Sequence, residues 1–241
     1  MFDKYSKQDL EILKRMYPNN YNEQLNRLNN GYPIQYLIGN VDFYGYKIMV
    51  NENVLIPRFE TEYLVSDTIK LINNYIDNPK IIDICSGSGC IAIALSKELN
   101  INVSALDISN DAIELSKKSA IINNANIDFI NEDIYKFNPK NKYNVLISNP
   151  PYIDKNEYVD ISTKYEPQIA LYAKDDGLEF YKIILEKSKS ILTKKNIIAF
   201  EIGSNQEEKV VDLIKNYFPK SNIVTKKDLN NLDRYIFIIN Q

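Results

Sequence analysis

The carboxyl-terminal two thirds of the sequence alternate between short apolar runs and longer segments with apolar residues on one helical face. Apolar runs predict strands at residues 80–84, 103–107, 127–133, 143–148, 196–202, 222–226 and 234–239. Segments with helical spacing predict helices at residues 90–99, 109–123, 177–192 and 205–217. This alternation predicts an α/β fold with a seven-stranded, mostly parallel sheet covered on both faces. The last two strands are joined by a short link and must pair as a hairpin, which places one antiparallel strand in the sheet.

The amino-terminal part of the chain has a different pattern. Residues 6–30 predict two short helices, and Ser6 and Asp9 have the spacing of a capping box at the start of the first. Residues 33–57 alternate between apolar and polar side chains and are interrupted by two glycines, which predicts a β-hairpin. A loop then leads into a helix predicted at residues 61–76.

Composition narrows the chemistry. The 241 residues include no histidine, so histidine general bases, Ser-His-Asp triads and histidine metal sites are excluded. Cys85 and Cys90 lack the spacing of a metal site, and no metal is expected. The net charge of −3 and the pI of 5.3 argue against direct nucleic-acid binding. No apolar run approaches the roughly 18 residues of a membrane span, and the start lacks a signal-peptide core. We therefore expect a cytoplasmic protein without membrane contacts.

The turn after the first predicted parallel strand has the composition of a nucleotide-binding site. Gly87 and Gly89 allow close approach of a ligand to backbone N–H groups at the start of a helix. Asp107 ends the next strand, where a carboxylate can accept both hydroxyls of a ribose. Gly87, Gly89 and Ala92 also fit the glycine fingerprint of NAD enzymes, so an NAD-dependent oxidoreductase is an alternative.

The segment Asn149-Pro150-Pro151-Tyr152 follows the strand predicted at residues 143–148. Neither proline has an N–H to donate, so the strand must end here, and the residue before a proline favours extended geometry. Asn149 is therefore expected to be held rigidly at the carboxyl edge of the sheet, with Tyr152 just beyond it. Ligands bind at this edge in open α/β sheets.

Three features favour S-adenosylmethionine over NAD as the cofactor. Asp83 precedes the glycine turn, where it could meet the ammonium group of the ligand. The antiparallel carboxyl-terminal strand is foreign to the NAD fold, and an Asn-Pro-Pro-Tyr segment ends the fourth strand. Together they resemble the class I (Rossmann-like) methyltransferases that modify planar nitrogen groups. The resemblance implies that Asn149 and the Pro150 carbonyl accept hydrogen bonds from an –NH₂ group, and that Tyr152 packs on its plane.

A closer resemblance, from about residue 31 onward, is to the release factor glutamine methyltransferase family. It rests on segments that occur in the family's order: 33–39, 43–45, 55–58, 61–62, 83–92, 149–153, 165–167 and 170–171. It implies methyl transfer to the glutamine amide of the Gly-Gly-Gln motif in peptide chain release factors. The implied substrate-binding residues are Asn149, Pro150, Pro151 and Tyr152. The implied cofactor-binding residues are Asp83, Cys85, Ser86, Gly87, Ser88, Gly89, Asp107, Asp133, Ile134 and Asn149, with Ile134 as an apolar wall for adenine.

The resemblance also implies how the chain is divided. We expect a helical substrate-docking region at residues 1–32, a β-hairpin linker at residues 33–58 and the methyltransferase domain at residues 59–241. The docking region is shorter than the helical bundle usual in the family. Cys85 stands where many members have glycine, and Phe59-Glu60 replace a frequent Pro-Asp. We expect a monomer that docks the Gly-Gly-Gln loop of release factors.

Other functions are compatible with parts of the pattern. Methylation of adenine N6 or another exocyclic amine in DNA or RNA would use the same Asn-Pro-Pro-Tyr segment, which by itself does not distinguish these substrates. A catalytically silent cofactor-binding module is a further alternative. Arg58 is either a surface charge or part of the site. Glu201 follows the fifth strand and serves either to cap or shape the next loop or to act in the site.

Overall fold

The computed structural model describes residues 5–157 and 161–241. Its amino-terminal part holds three helices, α1 (Lys7–Met16), α2 (Tyr21–Asn29) and α3 (Ile34–Ile38), followed by a hairpin of β1 (Asn40–Phe43) and β2 (Tyr46–Met49). The predicted capping box is confirmed, because the Ser6 side chain accepts from the Asp9 N–H and the Asp9 side chain accepts from the Ser6 N–H.

Helix α3 corrects the predicted hairpin, which extended over residues 33–57. Residues 34–38 form one helical turn, and Gly39 ends it with φ +79° and an N–H that donates to the Gln35 carbonyl at 2.7 Å. The adjacent residues Tyr36 and Leu37 are both buried, whereas a strand would turn them to opposite faces. The segment is too short for its pattern to distinguish a helical from a strand period.

The central sheet confirms the predicted seven-stranded, mostly parallel arrangement. Its strand order is β5-β4-β3-β6-β7-β9-β8, and only β9 runs antiparallel to its neighbours. The strands are β3 (Ile81–Ile84), β4 (Val103–Asp107), β5 (Ile127–Asn131), β6 (Tyr143–Ser148), β7 (Leu192–Glu201), β8 (Asn222–Lys227) and β9 (Asp233–Asn240). The chain passes from β3 to β4 on one side and later returns to β6 on the other side of β3. The carboxyl ends of these parallel strands lie at one edge of the sheet, and this change of direction marks the topological switch point where such folds bind ligands.

Six further helices complete the described part of the chain. They are α4 (Phe59–Tyr75), α5 (Cys90–Leu99), α6 (Asn110–Asn123), α7 (Gln168–Leu171), α8 (Glu179–Ile191) and α9 (Glu207–Tyr217). A 3-10 helix at Ile161–Tyr165 precedes α7, and neither of these short helices follows from the sequence pattern. In the described residues, no helix is both long and apolar enough to cross a membrane.

Two apolar clusters lie on opposite faces of the sheet. Alternation along each strand separates them, so Ile81 belongs to one cluster and Ile82 to the other. The first cluster also includes Leu13 and Leu28 from the amino-terminal helices and Ile48 from the hairpin. The amino-terminal elements therefore share a continuous core with the sheet, which fixes their position beside the strand ends.

Candidate active site

A cleft with about 1140 Å³ of empty volume, counted to its open mouth, lies at the carboxyl edge of the sheet. Its wall brings together segments that are far apart in the sequence, including the glycine turn and the start of the Asn-Pro-Pro-Tyr segment. Among the lining residues are Arg58, Thr61, Cys85, Ser86, Gly87, Ser88, Asp107, Asp133, Ile134, Asn149 and Pro151. A single cleft thus joins the glycine turn to the Asn-Pro-Pro-Tyr segment.

Asp107 shapes the glycine turn through its side chain. One carboxylate oxygen accepts from the Gly87 N–H at 2.7 Å and the other from the Ser109 N–H at 2.8 Å. Burial raises the pKa of Asp107, and these two hydrogen bonds oppose that rise. Each oxygen has further acceptor capacity and the residue lines the cleft. Asp107 can therefore bind ribose hydroxyls while it holds the turn.

Backbone geometry explains the residues that flank this turn. Gly89 has φ +77°, and a Cβ there would lie 1.8 Å from the Ser116 hydroxyl oxygen. Cys85 has φ +61°, a conformation that favours glycine, so its side chain is accommodated at a backbone cost. The Cys85 side chain lines the cleft, and burial raises its pKa well above the ordinary value. The thiol is therefore neutral at physiological pH.

Asp83 is placed differently from the other predicted cofactor residues. It is fully buried and does not line the cleft. Its Oδ2 accepts from the Ala92 N–H at 3.2 Å, while Oδ1 has no hydrogen-bond partner. Burial, with a smaller contribution from Asp107, raises its pKa well above the ordinary value. The Ala92 contact places Asp83 at the start of the helix that follows the glycine turn, and its direct contact with an ammonium group stays a prediction.

The Asn-Pro-Pro-Tyr segment divides between the cleft and the core. Asn149 and Pro151 line the cleft, whereas Pro150 is buried. Tyr152 packs against the apolar cluster that contains Ile82, and its carbonyl accepts from the Gln206 side chain at 3.0 Å. Burial raises the pKa of Tyr152, so the phenol is neutral. Tyr152 is half-buried, and the packing of its ring on a substrate amide stays a prediction.

Two residues with roles that the sequence left open make specific contacts. Arg58 lines the cleft and forms an ion pair with the buried carboxylate of Glu166, so it is not a free surface charge. Glu201 ends β7, is 2% exposed and accepts from the Thr61 hydroxyl at 2.7 Å. Its side chain therefore reaches the cleft wall only through Thr61, and its role in the site stays a prediction. Burial raises its pKa to about 7.

Thr61 is the functional candidate that sequence reasoning missed. Its hydroxyl oxygen lies 3.3 Å from Asn149 Nδ2 and 2.7 Å from Glu201 Oε2. Thr61 is 140 positions from Glu201 and 88 from Asn149. Its signal in the sequence was the Thr61-Glu62 pair within the family resemblance. That pair does not indicate what role the Thr61 hydroxyl would have.

The cleft fits S-adenosylmethionine chemically. The Asp107 carboxylate, the Ser88 side chain and the apolar side chain of Ile134 supply polar and apolar contacts of the kind that a nucleoside requires. The buried Ser86 hydroxyl also has no hydrogen-bond partner and belongs to the cleft wall. In residues 5–157 and 161–241, no group of three or more His, Cys, Asp or Glu side chains could hold a metal ion.

Comparisons with known proteins show which family this chain resembles. The model of the methyltransferase small domain family matches residues 61–165. A release factor glutamine methyltransferase of Bacillus anthracis is 37% identical over 225 residues, which are 90% of this chain and 80% of the relative. Another from Flavobacterium psychrophilum is 41% identical over 212 residues, covering 85% and 74% of the two chains.

A solved structure supports the same relationship. The release factor-specific protein-(glutamine-N5) methyltransferase from Alicyclobacillus acidocaldarius is 25% identical, with a TM-score of 0.50, covering 80% of this chain and 98% of that chain. The predicted class I methyltransferase fold is confirmed, and the cofactor is S-adenosylmethionine. This chain belongs to the release factor glutamine methyltransferase family.

Proposed function

We propose that the cleft binds the glutamine of the Gly-Gly-Gln motif of a peptide chain release factor, with Asn149 and the Pro150 carbonyl accepting its two amide N–H bonds. The enzyme transfers a methyl group from S-adenosylmethionine to the side-chain amide nitrogen of that glutamine. One observation carries the site assignment. The Asn149 side chain and the Gly87 turn line the same cleft, so the acceptor amide and the methyl donor can meet there.

The chemistry depends on positioning. An amide nitrogen is a poor nucleophile because its lone pair is delocalised into the carbonyl. When bound, S-adenosylmethionine supplies a methyl group made strongly electrophilic by its sulfonium. By accepting both N–H bonds, Asn149 and the Pro150 carbonyl orient the lone pair toward that methyl, and such orientation is worth about 7–11 kcal/mol of barrier. The same acceptors stabilise the positive charge that develops on nitrogen, and the extra proton then leaves to water.

The remaining residues of the cleft hold the cofactor. Asp107 accepts hydrogen bonds from the ribose hydroxyls, and Ile134 and the neighbouring Asp133 lie against the adenine. The backbone of Gly87 contacts the amino-acid end of the cofactor. Ser86 and Ser88 contribute polar atoms, while Cys85 and Gly89 set the course of the turn. The amino-terminal helices and the hairpin are proposed to dock the release factor beside the cleft. The monomeric state, the cytoplasmic location and the lack of direct nucleic-acid binding stay predictions.

The decisive experiment uses S-adenosylmethionine with a labelled methyl group. The chain is incubated with a release factor, and mass spectrometry locates the label. We expect label on the glutamine of Gly-Gly-Gln and none on a release factor in which that glutamine is replaced by alanine. DNA and RNA are tested in parallel, because exocyclic-amine methylation would use the same segment. Label on a base, with an unmodified release factor, would overturn the proposed substrate.

A further inference from the structure

Three side chains form a hydrogen-bonded chain from the cleft into the core. Asn149 Nδ2 donates to the Thr61 hydroxyl oxygen at 3.3 Å, and that hydroxyl donates to Glu201 Oε2 at 2.7 Å. Glu201 is 2% exposed, as is Thr61, while Asn149 lines the cleft. We call these residues the Asn149–Thr61–Glu201 chain.

The chemistry of the buried end sets the direction of this chain. An ionised carboxylate only accepts hydrogen bonds, so Thr61 must use its single proton on Glu201. The Thr61 oxygen can then only accept from Asn149, which selects the amide orientation with Nδ2 toward Thr61. The opposite end of the same amide is Oδ1, an acceptor, which is left for the substrate.

We propose that Glu201, acting through Thr61, is a positioning residue that fixes the Asn149 amide with its oxygen available to the substrate N–H. This role rests on the proposed binding of a glutamine amide by Asn149. The wrong orientation would present Nδ2, a donor, to the donor N–H groups of the substrate. Thr61 and Glu201 therefore determine whether Asn149 is an acceptor, although neither is assigned a contact with the reacting atoms.

The protonation state of Glu201 determines which groups donate these hydrogen bonds, so a change of pH can reverse them. Burial raises its pKa to about 7, and its hydrogen bond from Thr61 and the charge of Arg234 oppose that rise. Below that pH the protonated carboxyl can donate to Thr61, and the Thr61 hydroxyl is then free to donate to Asn149 Oδ1. Seven titratable or charged side chains in the described residues interact electrostatically with Glu201. They are Arg234, Glu60, Arg58, Tyr152, Tyr181, Tyr235 and Cys90.

One neighbouring contact does not involve the Glu201 side chain, and the variants that test the proposal change single groups. The Tyr181 hydroxyl donates to the Glu201 backbone carbonyl at 2.8 Å, so Glu201→Gln leaves this bond in place. Thr61→Val removes only the hydroxyl at nearly constant volume, and Thr61→Ser keeps it. Thr68 supplies a matched control on the same helix, because it is also buried and its hydroxyl donates to the Leu64 carbonyl at 2.7 Å.

The first test measures methylation of a release factor. We expect Thr61→Val to lower kcat by about 100-fold with an unchanged Kd for S-adenosylmethionine, because a misoriented acceptor loses that much rate. Thr61→Ser should recover most of the rate and Thr68→Val should retain it. In the wild type, kcat should fall as the pH drops through about 7, and Glu201→Gln should remove this dependence. If the wild type labels the release factor and Thr61→Val retains full activity, the positioning role is overturned and the proposed function stays intact.

The second test needs no substrate. The side-chain NH₂ resonances of Asn149, followed by nitrogen-15 NMR, should titrate near pH 7 in the wild type and be unaffected by pH in Thr61→Val and in Glu201→Gln. Asn149 resonances of the wild type that do not change with pH would contradict the proposed hydrogen bonds among Asn149, Thr61 and Glu201, whatever the activity of the variants. Absence of release factor methylation by the wild type would instead overturn the proposed function, so the two failures are distinguishable.

Discussion

The Arg58 guanidinium lies 2.5 Å from the Glu166 carboxylate and joins two loops that are 108 positions apart in the sequence. The second carboxylate oxygen of Glu166 accepts from the Ile56 N–H at 3.1 Å. The Glu166 side chain is 1% exposed, so both contacts compensate a buried charge. Pro57 and Pro167, next to these residues, line the cleft, and the ion pair therefore sets the distance between its two walls.

Arg58→Ala should destabilise the protein by about 2–3 kcal/mol, because it leaves a buried carboxylate with only a backbone partner. Denaturation by urea measures this change. Arg58→Ala combined with Glu166→Ala should cost less than the sum of the single changes. Arg15→Ala, which breaks an exposed pair with Glu11 at 4.0 Å, is the control and should cost less than about 1 kcal/mol. Equal effects of Arg15→Ala and Arg58→Ala would contradict the structural role.

Asn149→Ala should reduce kcat by about 100-fold to 1000-fold, because it removes an acceptor for charge that develops in the transition state. The Kd for S-adenosylmethionine should change little, since other residues hold the cofactor. Single-turnover methylation and calorimetry measure the two quantities. An unchanged rate would refute the proposed role of Asn149.

Asp107→Ala should weaken S-adenosylmethionine binding by about 10-fold to 100-fold, the cost of losing hydrogen bonds to a charged acceptor. Calorimetric titration provides the Kd. Asp111→Ala is a control, because it removes an exposed acid from the first turn of α6. The wild type should not bind NAD in the same titration, and NAD binding would revive the oxidoreductase alternative.

Gly89 and Gly45 offer a matched pair for testing the glycine turn. Their φ angles are +77° and +79°, but a Cβ at Gly45 would meet no atom within 4 Å, whereas at Gly89 it would meet Ser116. Gly45→Ala should cost about 1 kcal/mol of stability from backbone strain alone. Gly89→Ala should cost more, and adding Ser116→Ala should recover part of that excess. Thermal unfolding compares the variants, and equal losses for the two glycines would show that the contact is unimportant.

Glu201 should make the stability of the protein depend on pH. Its pKa of about 7 in the folded state exceeds the ordinary value of 4.5, so the folded state binds more protons between these values. The contribution of Glu201 to the free energy of unfolding therefore falls as the pH rises from about 4.5 to about 7. Glu201→Gln should increase stability at pH 8 by up to about 3 kcal/mol and have little effect at pH 4. A pH-independent difference between wild type and variant would contradict the raised pKa.

The sequence predicted the order and type of most elements because their signals are local. Apolar runs located the seven strands of the sheet, although individual bounds differ by up to four residues. Pro150 and Pro151 fixed the end of β6, and the two glycines fixed the turn before α5. These features depend on backbone chemistry within a few residues. Segment 34–38 shows where such reasoning fails, since five residues do not define a period.

Local sequence features were enough to predict the fold class, the cofactor turn, the strand end at Asn-Pro-Pro-Tyr and the family. Tertiary packing determines which of these residues reach the cleft. It buried Asp83 next to the first turn of α5, left Tyr152 half-buried against the cluster that contains Ile82, and paired Arg58 with Glu166. It also placed Thr61 between Asn149 and Glu201, a contact set by the packing of α4 against β7. Strand register and helix packing bring distant side chains together, and no local pattern records that proximity.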